Sequence, residues 1–182
     1  YTILFVCSVW CVLERVEGYD WQYLWLVTQD PDGLIELLGG DEEFNKKLEE
    51  GNNVILAFLS RSYHESVKNP NAFFLTQIGE GEKIDLTKEF LFYSRPKGVY
   101  KGKDTEKLLL DFYLFNTNIS PSGNKVKATI QDTEFVIDEW APYYIEGLEE
   151  GENQIKLELI DSNGNLIDTQ FNPSIKTFMI EK

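Results

Sequence analysis

Apolar and polar residues alternate over short stretches of this chain, and turn residues separate one stretch from the next. The clearest case is residues 155–159, in which every second residue is apolar. This pattern predicts a strand with one buried face and one face in water. Polar turns such as residues 161–165 follow such stretches at spacings typical of antiparallel strands. The chain is therefore predicted to be all-β.

An internal repeat predicts the domain organisation. Residues 48–55, Leu-Glu-Glu-Gly-Asn-Asn-Val-Ile, return as 148–155, Leu-Glu-Glu-Gly-Glu-Asn-Gln-Ile, a displacement of 148 − 48 = 100 residues. In both copies a strand, a tight polar turn and a second strand come first, over 27–37 and 129–138. We therefore predict two tandem immunoglobulin-like antiparallel β-sandwich domains, residues 1–85 and 86–182.

The two predicted domains differ in their strands. The second opens with strands at 90–93 and 108–116 and ends with strands at 166–171 and 176–180. The first begins at the counterpart of a later strand, so it is expected to lack its first strand. Either truncation has removed that strand, or another chain supplies it by strand addition.

Three stretches of the first domain are apolar at positions that would face water in an ordinary outer strand. They are residues 3–9, 21–27 and 54–59. Such faces are expected to pack on the second domain or around an unusually thick core. The alternative is that they pack on a partner subunit or surface. The candidate interface residues are Trp10, Trp21, Trp25, Leu56 and Phe58.

Charge and length exclude some partners. The formal net charge is −14, and such a surface repels the phosphates of nucleic acid. The apolar run 1–13 is shorter than the roughly 20 residues of a spanning helix, although a membrane anchor in a preceding segment is left open. Cys7 and Cys11 would lie about 13 Å apart on one strand, too far for a disulfide.

Two basic segments follow aromatic-rich strands and are the candidate ligand site. Both begin with Ser-Arg, at 60–61 and 94–95. Arginine offers paired donors to a carboxylate or phosphate, and lysine adds charge. The alternative is that these arginines pair with the many carboxylates of the chain. The candidate residues for an anionic peptide or glycan are Arg61, His64, Lys68, Arg95 and Lys97.

The sequence contains little evidence for a catalytic site or a metal-binding site. His64 is the single histidine, and its neighbouring serines are poorly placed to act as a nucleophile. One histidine and two cysteines do not make a zinc site, and residues 161–165 lack the spacing of a calcium loop. The aromatic segment 140–144 fits a sandwich corner or a sugar-stacking platform. We expect no catalytic residue, no metal and no cofactor.

Several motifs resemble a poorly characterised family of bacterial cell-envelope β-sandwich proteins, sometimes labelled phosphopeptide-binding. They are Ser-Arg-Ser-Tyr-His-Glu-Ser-Val-Lys at 60–68, Phe-Tyr-Ser-Arg-Pro-Lys-Gly at 92–98 and Trp-Ala-Pro-Tyr at 140–143. The resemblance covers 44–182 and implies export to the periplasm or cell surface and a non-enzymatic role. It fails before residue 44. Where the family carries histidines this chain has Tyr23, Trp25 and Asn53, so metal binding is not carried over.

Overall fold

The structure, a computed structural model, describes residues 2–7, 11–15, 22–24, 53–58, 66–78 and 83–182. In these residues the regular structure is β-strand, apart from one short 3-10 helix at Gly102–Thr105. The prediction of an all-β chain is confirmed. Two compact units divide the chain, Tyr1–Leu86 and Thr87–Lys182.

The strands are short and follow one another closely in the second unit. In chain order they are β1 Thr2–Cys7, β2 Cys11–Arg15, β3 Gln22–Leu24, β4 Asn53–Phe58, β5 Phe73–Ile78, β6 Phe90–Arg95, β7 Gly98–Lys101, β8 Leu108–Phe115, β9 Lys125–Ile130, β10 Thr133–Ile137, β11 Tyr143–Ile145, β12 Gly151–Ile160 and β13 Ser174–Glu181.

The first unit contains a five-stranded sheet with the order β3-β2-β1-β4-β5. β1 pairs antiparallel with β2 but parallel with β4, from Thr2 beside Asn53 to Cys7 beside Phe58. The prediction of a purely antiparallel sandwich is therefore wrong at this pair. The assignment of the first unit as an immunoglobulin-like domain stays a prediction.

The apolar run near the N-terminus forms two strands rather than one. Cys7 ends β1 and Cys11 begins the antiparallel β2. The predicted separation of about 13 Å assumed one continuous extended strand. That assumption is wrong, because the chain reverses direction between the two cysteines.

The second unit is a β-sandwich of two unequal sheets. One has five strands in the order β10-β9-β12-β13-β7, and the other has three in the order β11-β8-β6. Buried side chains of both sheets share one core, including Phe112 of β8, Leu157 of β12 and Phe178 of β13. Apart from the parallel pair β7 and β13, neighbouring strands are antiparallel. This division of strands between the sheets is that of an immunoglobulin-like sandwich.

Two strands of the three-stranded sheet, β6 and most of β8, are buried on both faces, whereas β11 is partly exposed. In β6, five consecutive residues from Phe90 to Ser94 are buried. Leu91 and Tyr93 point into the core, whereas Phe90 and Phe92 lie on the other face with Phe171, whose ring centroid is 5.5 Å from that of Phe92. Two-faced burial was predicted only for the first domain. The apolar run 90–93 of β6 carries the same signal, and so does β8 apart from Asp111.

Polar turns connect strands of the five-stranded sheet. The turn at 161–165 is where it was predicted, whereas the turn expected at Thr133-Glu134 lies two residues earlier. β9 and β10 form a hairpin in which Ile130 pairs with Thr133, and Gln131 takes a φ of 45° in the turn between them. After β12, the Asp161 Oδ1 accepts the backbone N–H groups of Asn163 and Asn165, each at 2.8 Å. This closes a compact turn, and residues 161–165 need no bound ion to hold their shape.

Two details of the five-stranded sheet differ from the prediction. Glu158 was expected to face water, but it is only 8% exposed, and the ammonium groups of Lys127 and Lys156 lie 3.0 and 2.8 Å from its carboxylate. A strand was also expected over 166–171, where the structure has a single bridge between Ile160 and Leu166. An irregular loop therefore leads from β12 to β13.

Asn172 holds that loop against β12. Its side-chain amide donates to the carbonyl oxygens of Leu159 and Ile167, at 2.9 and 2.7 Å, and accepts the N–H of Leu159 at 2.8 Å. One side chain thus replaces the ladder that a strand at 166–171 would have provided. Alanine would remove the partner of the Leu159 N–H and of the Ile167 carbonyl, whereas the Leu159 carbonyl would keep the Ile167 N–H at 3.0 Å.

We predict that Asn172→Ala lowers the free energy of unfolding by about 2 to 3 kcal/mol, because partly buried donors and acceptors lose their partners. Asn118→Ala, which changes an exposed asparagine in the β8–β9 loop, should change it by less than about 0.5 kcal/mol. Urea denaturation of both variants measures the difference. Equal stabilities would contradict the assigned role of Asn172.

Candidate functional site

The structure places the predicted ligand residues in different parts of the chain. Arg61 and His64 lie outside the described residues. Lys68 belongs to the first unit, where its Nζ donates to the Ser66 Oγ at 2.5 Å. Arg95 and Lys97 belong to the second unit and lie close together. The predicted grouping can therefore be examined only at this last pair.

Arg95 and Lys97 lie where the chain crosses between the sheets of the second unit. Arg95 ends β6 in the three-stranded sheet, and Gly98 begins β7 in the five-stranded sheet. Two tyrosines fix the crossing: the Tyr93 hydroxyl donates to the carbonyl oxygen of Pro96, and the Lys97 N–H donates to the Tyr100 hydroxyl oxygen at 3.1 Å. The backbone leaves the crossing at Gly98 with a φ of 70°, which favours glycine.

A buried carboxylate lies beside this crossing. Asp111 of β8 is 1% exposed and pairs directly with Arg95 after a bulge in β6. Its Oδ2 accepts a long hydrogen bond of 3.4 Å from the Tyr113 hydroxyl. A carboxylate at this depth requires nearby positive charge and donors. Part of the positive charge at the crossing therefore balances Asp111.

The cations outnumber that carboxylate. Burial lowers the pKa of Lys97 to about 7; Asp111 opposes this change, and the charge of Lys176 adds to it. The Arg95 side chain hydrogen-bonds to Tyr100, whose pKa burial raises. We call Arg95, Lys97 and Lys176 the cation cluster. Near neutral pH it combines three basic groups with the buried Asp111, and a second carboxylate, that of Asp104, interacts with Tyr100 beside Arg95.

An anion is the ligand that this geometry suits. Guanidinium and ammonium groups donate to carboxylate, phosphate or sulfate oxygens, and an incoming negative charge would favour the protonated form of Lys97. For metals the finding is different: the described residues contain no group of three or more His, Cys, Asp or Glu side chains placed to hold an ion. In the same residues no helix is long and apolar enough to cross a membrane.

The predicted interface residues fall partly outside the described structure. Trp10, Trp21 and Trp25 are not among the described residues. Leu56 is fully buried and Phe58 is 8% exposed, on the same face of β4 as the buried Val54. These two residues pack inside the chain, so a partner has no direct access to them in this structure.

A second site, which the sequence analysis did not find, is an apolar groove on the opposite side of the same sandwich. Its volume is about 480 Å³, within the range of ligand clefts. Edge strands of both sheets border it, β10 from the five-stranded sheet and β11 from the three-stranded sheet. We call this space the β10–β11 groove. Its principal apolar lining residues are Ile130, Phe135, Val136, Tyr143, Tyr144 and Ile145.

The groove exists because the smaller sheet ends too soon to cover the larger one. Phe135 pairs with the buried Ala128 and so points to the inner side of its sheet. It is nevertheless 50% exposed, because β11 is only three residues long and is the last strand of the opposing sheet. The sequence does carry a signal for this exposed apolar surface. Phe135 and Val136 are adjacent apolar residues of one strand, and one of two adjacent strand residues normally faces water.

The segment 140–144 contributes to the core as well as to this groove. The Trp140 Nε1 donates to the carbonyl oxygen of Phe112 at 3.1 Å, and Trp140 and Tyr143 pack against the core. This arrangement fits the predicted sandwich corner. Tyr144 points the other way and is 50% exposed, with the Lys107 ammonium 4.5 Å from its ring centroid.

Comparisons with known proteins give partial likenesses. A model of the glycosyl hydrolase family 92 catalytic domain matches residues 11–71, which is less than half of the chain and includes residues 11–43, where the resemblance described above fails. No curated protein matches significantly. Fibronectin(III)-like modules of Clostridium thermocellum CbhA, known from a solved structure, are 15% identical and cover 50% of this chain and 97% of their own, with a TM-score of 0.38. The fold of the second unit is assigned from its own strand order.

Proposed function

We propose that this chain is a non-catalytic binding module, exported to the periplasm or cell surface, that binds an anionic group on a peptide through the cation cluster. The observation that carries the proposal is the convergence of Arg95, Lys97 and Lys176 in a chain with a net charge of −14. Basic groups are scarce in this chain, and placing three of them together has an electrostatic cost. An anionic ligand would offset that cost.

The structure around the cluster supports a preformed site. Arg95 and Lys97 lie on a crossing held by Tyr93 and Tyr100, so little conformational entropy remains to be lost when a ligand binds. Export is supported by the resemblance of residues 44–182 to an envelope family. The ligand role of Arg61, His64 and Lys68, which belong to the first unit, stays a prediction and is not part of this proposal.

The test uses an oligoglutamate peptide, whose carboxylates stay ionised between pH 6 and 8. Lys97, with a pKa of about 7, is mostly protonated at pH 6 and mostly neutral at pH 8. We therefore expect the peptide to bind more tightly at pH 6 when measured by isothermal titration calorimetry. Lys97→Gln should weaken binding at pH 6 and remove most of the pH dependence.

Matched controls separate this site from general charge effects. Lys125→Gln removes a lysine whose Nζ donates to the Gly123 carbonyl and should leave affinity unchanged, whereas Arg95→Gln should weaken it about tenfold. An oligoglutamine peptide should not bind. Equal affinities of the Lys97 and Lys125 variants would contradict the proposal, and preferential binding of a sulfated oligosaccharide would assign the site to a glycan.

A second candidate function is assembly through the first unit. The specific observation is that β1 and β4, which are adjacent and parallel, are apolar at every position after their first residue. Parallel strands are usually covered on both faces. A partner protein or a second copy of the chain could provide that cover, with Trp10, Trp21 and Trp25 as the predicted contacts.

If the first unit assembles with a second copy, native mass spectrometry of the whole chain at micromolar concentration should show an oligomer. Replacing Trp25 by serine should shift the population toward monomer if that residue is a contact. A strict monomer at all concentrations would contradict self-assembly and leave the anion site unaffected, because the two proposals use different units.

A further inference from the structure

Three of the six large apolar residues exposed in the second unit line the β10–β11 groove; Val99, Leu166 and Ile175 do not. Phe135, Val136 and Tyr144 are 50%, 61% and 50% exposed, and all three line it. The anion site does not use these residues, since the cation cluster lies at the β6–β7 crossing. An exposed apolar groove between two strand edges therefore needs a separate explanation.

Strand edges determine the shape of the ligand that fits here. β10 pairs with β9 on one side and is the last strand of its sheet, and no strand in the described part of the chain pairs with its other edge. An extended polypeptide can add to that edge as a further strand. Its inward side chains would then enter the groove beside Phe135, and the outward ones would face water.

The charges around the groove indicate which residues should stand at the two ends of the bound segment. Glu146 is the charged residue of the groove lining, and the Lys107 ammonium, 3.9 Å from its carboxylate, offsets part of its charge. Asp132 and Glu139 add negative charge, because both are exposed at the two ends of β10. The negative potential reaches the groove itself: burial raises the pKa of Tyr143, and the carboxylates of Glu139 and Asp138 raise it further. A cationic ligand is therefore favoured, and a second copy of this acidic rim would be repelled.

We infer that the β10–β11 groove binds an extended segment of another protein, apolar at alternate positions and flanked by lysine or arginine, which adds to the free edge of β10. Main-chain hydrogen bonds to β10 would supply affinity. The apolar groove would select side chains, and the acidic rim would select the basic flanks. This site is separate from the anion site and does not depend on it.

The test measures fluorescence anisotropy of a fluorescein-labelled peptide of alternating valine and threonine with two lysines at each end. The whole chain should bind it, and should bind a peptide with serines in place of the lysines more weakly. Phe135→Ser should weaken binding about tenfold, as expected for loss of a central aromatic contact. Glu146→Gln, an exposed change that spares the fold, should weaken it about threefold.

The matched control is Val99→Ser. Val99 is 54% exposed on β7, the edge strand at the other end of the same sheet, and its loss should leave peptide affinity unchanged. A peptide N-methylated along one edge cannot pair with β10 and should not bind. The inference is overturned if the lysine peptide fails to bind, if the N-methylated or serine peptide binds equally well, or if Phe135→Ser and Glu146→Gln both retain native affinity.

Discussion

The crossing from β6 to β7 is the constraint on which the cation cluster of the second unit depends. It moves the chain from the three-stranded to the five-stranded sheet, so the two sheets are joined on one side of the sandwich. β6 approaches β12 and β13 there. On the other side the chain also crosses between the sheets, from β10 to β11 through residues 138–142, but β11 is only three residues long and covers little of β10. One side therefore holds polar groups in fixed positions, and the other presents an apolar opening.

The polar side requires an unusual arrangement of charge. Asp111 is buried in a sheet whose other residues are mainly aromatic and aliphatic, and a lone carboxylate there would be strongly destabilising. Arg95 and Lys97 offset that charge. Because Lys97 is itself largely covered, its pKa falls to about 7, and its charge state changes within the physiological range. A structural requirement, neutralising Asp111, thus brings basic groups to a position where a ligand can use them.

The sequence predicted the parts of the fold that local patterns determine. Alternation placed β12, and polar residues placed the turn at 161–165, because turn chemistry acts over a few residues. The hairpin turn before β10 was expected at Thr133-Glu134 and lies two residues earlier, at 131–132. Pairings between distant segments were not predictable in this way. The parallel partners β1 and β4 lie far apart in the chain, and nothing local distinguishes them from antiparallel strands. The loop 166–171 has strand-like residues, yet Asn172 satisfies the backbone of β12 instead.

For the two candidate sites, too, local sequence patterns predicted some residues and tertiary structure determined the rest. The Ser-Arg motif identified Arg95 and Lys97, but Lys176 and Asp111 join them only through tertiary structure. The groove depends on the difference in strand number between two sheets, which no single stretch of sequence reveals.

Hydrogen–deuterium exchange of the free chain, followed residue by residue by NMR, tests the central claim that the β10–β11 side is open. Amides of residues 133–137 that do not face β9 should exchange at rates close to those of an unstructured peptide, while β12 stays protected. Protection throughout β10 equal to that of β12 would show that its edge is covered and would contradict this account.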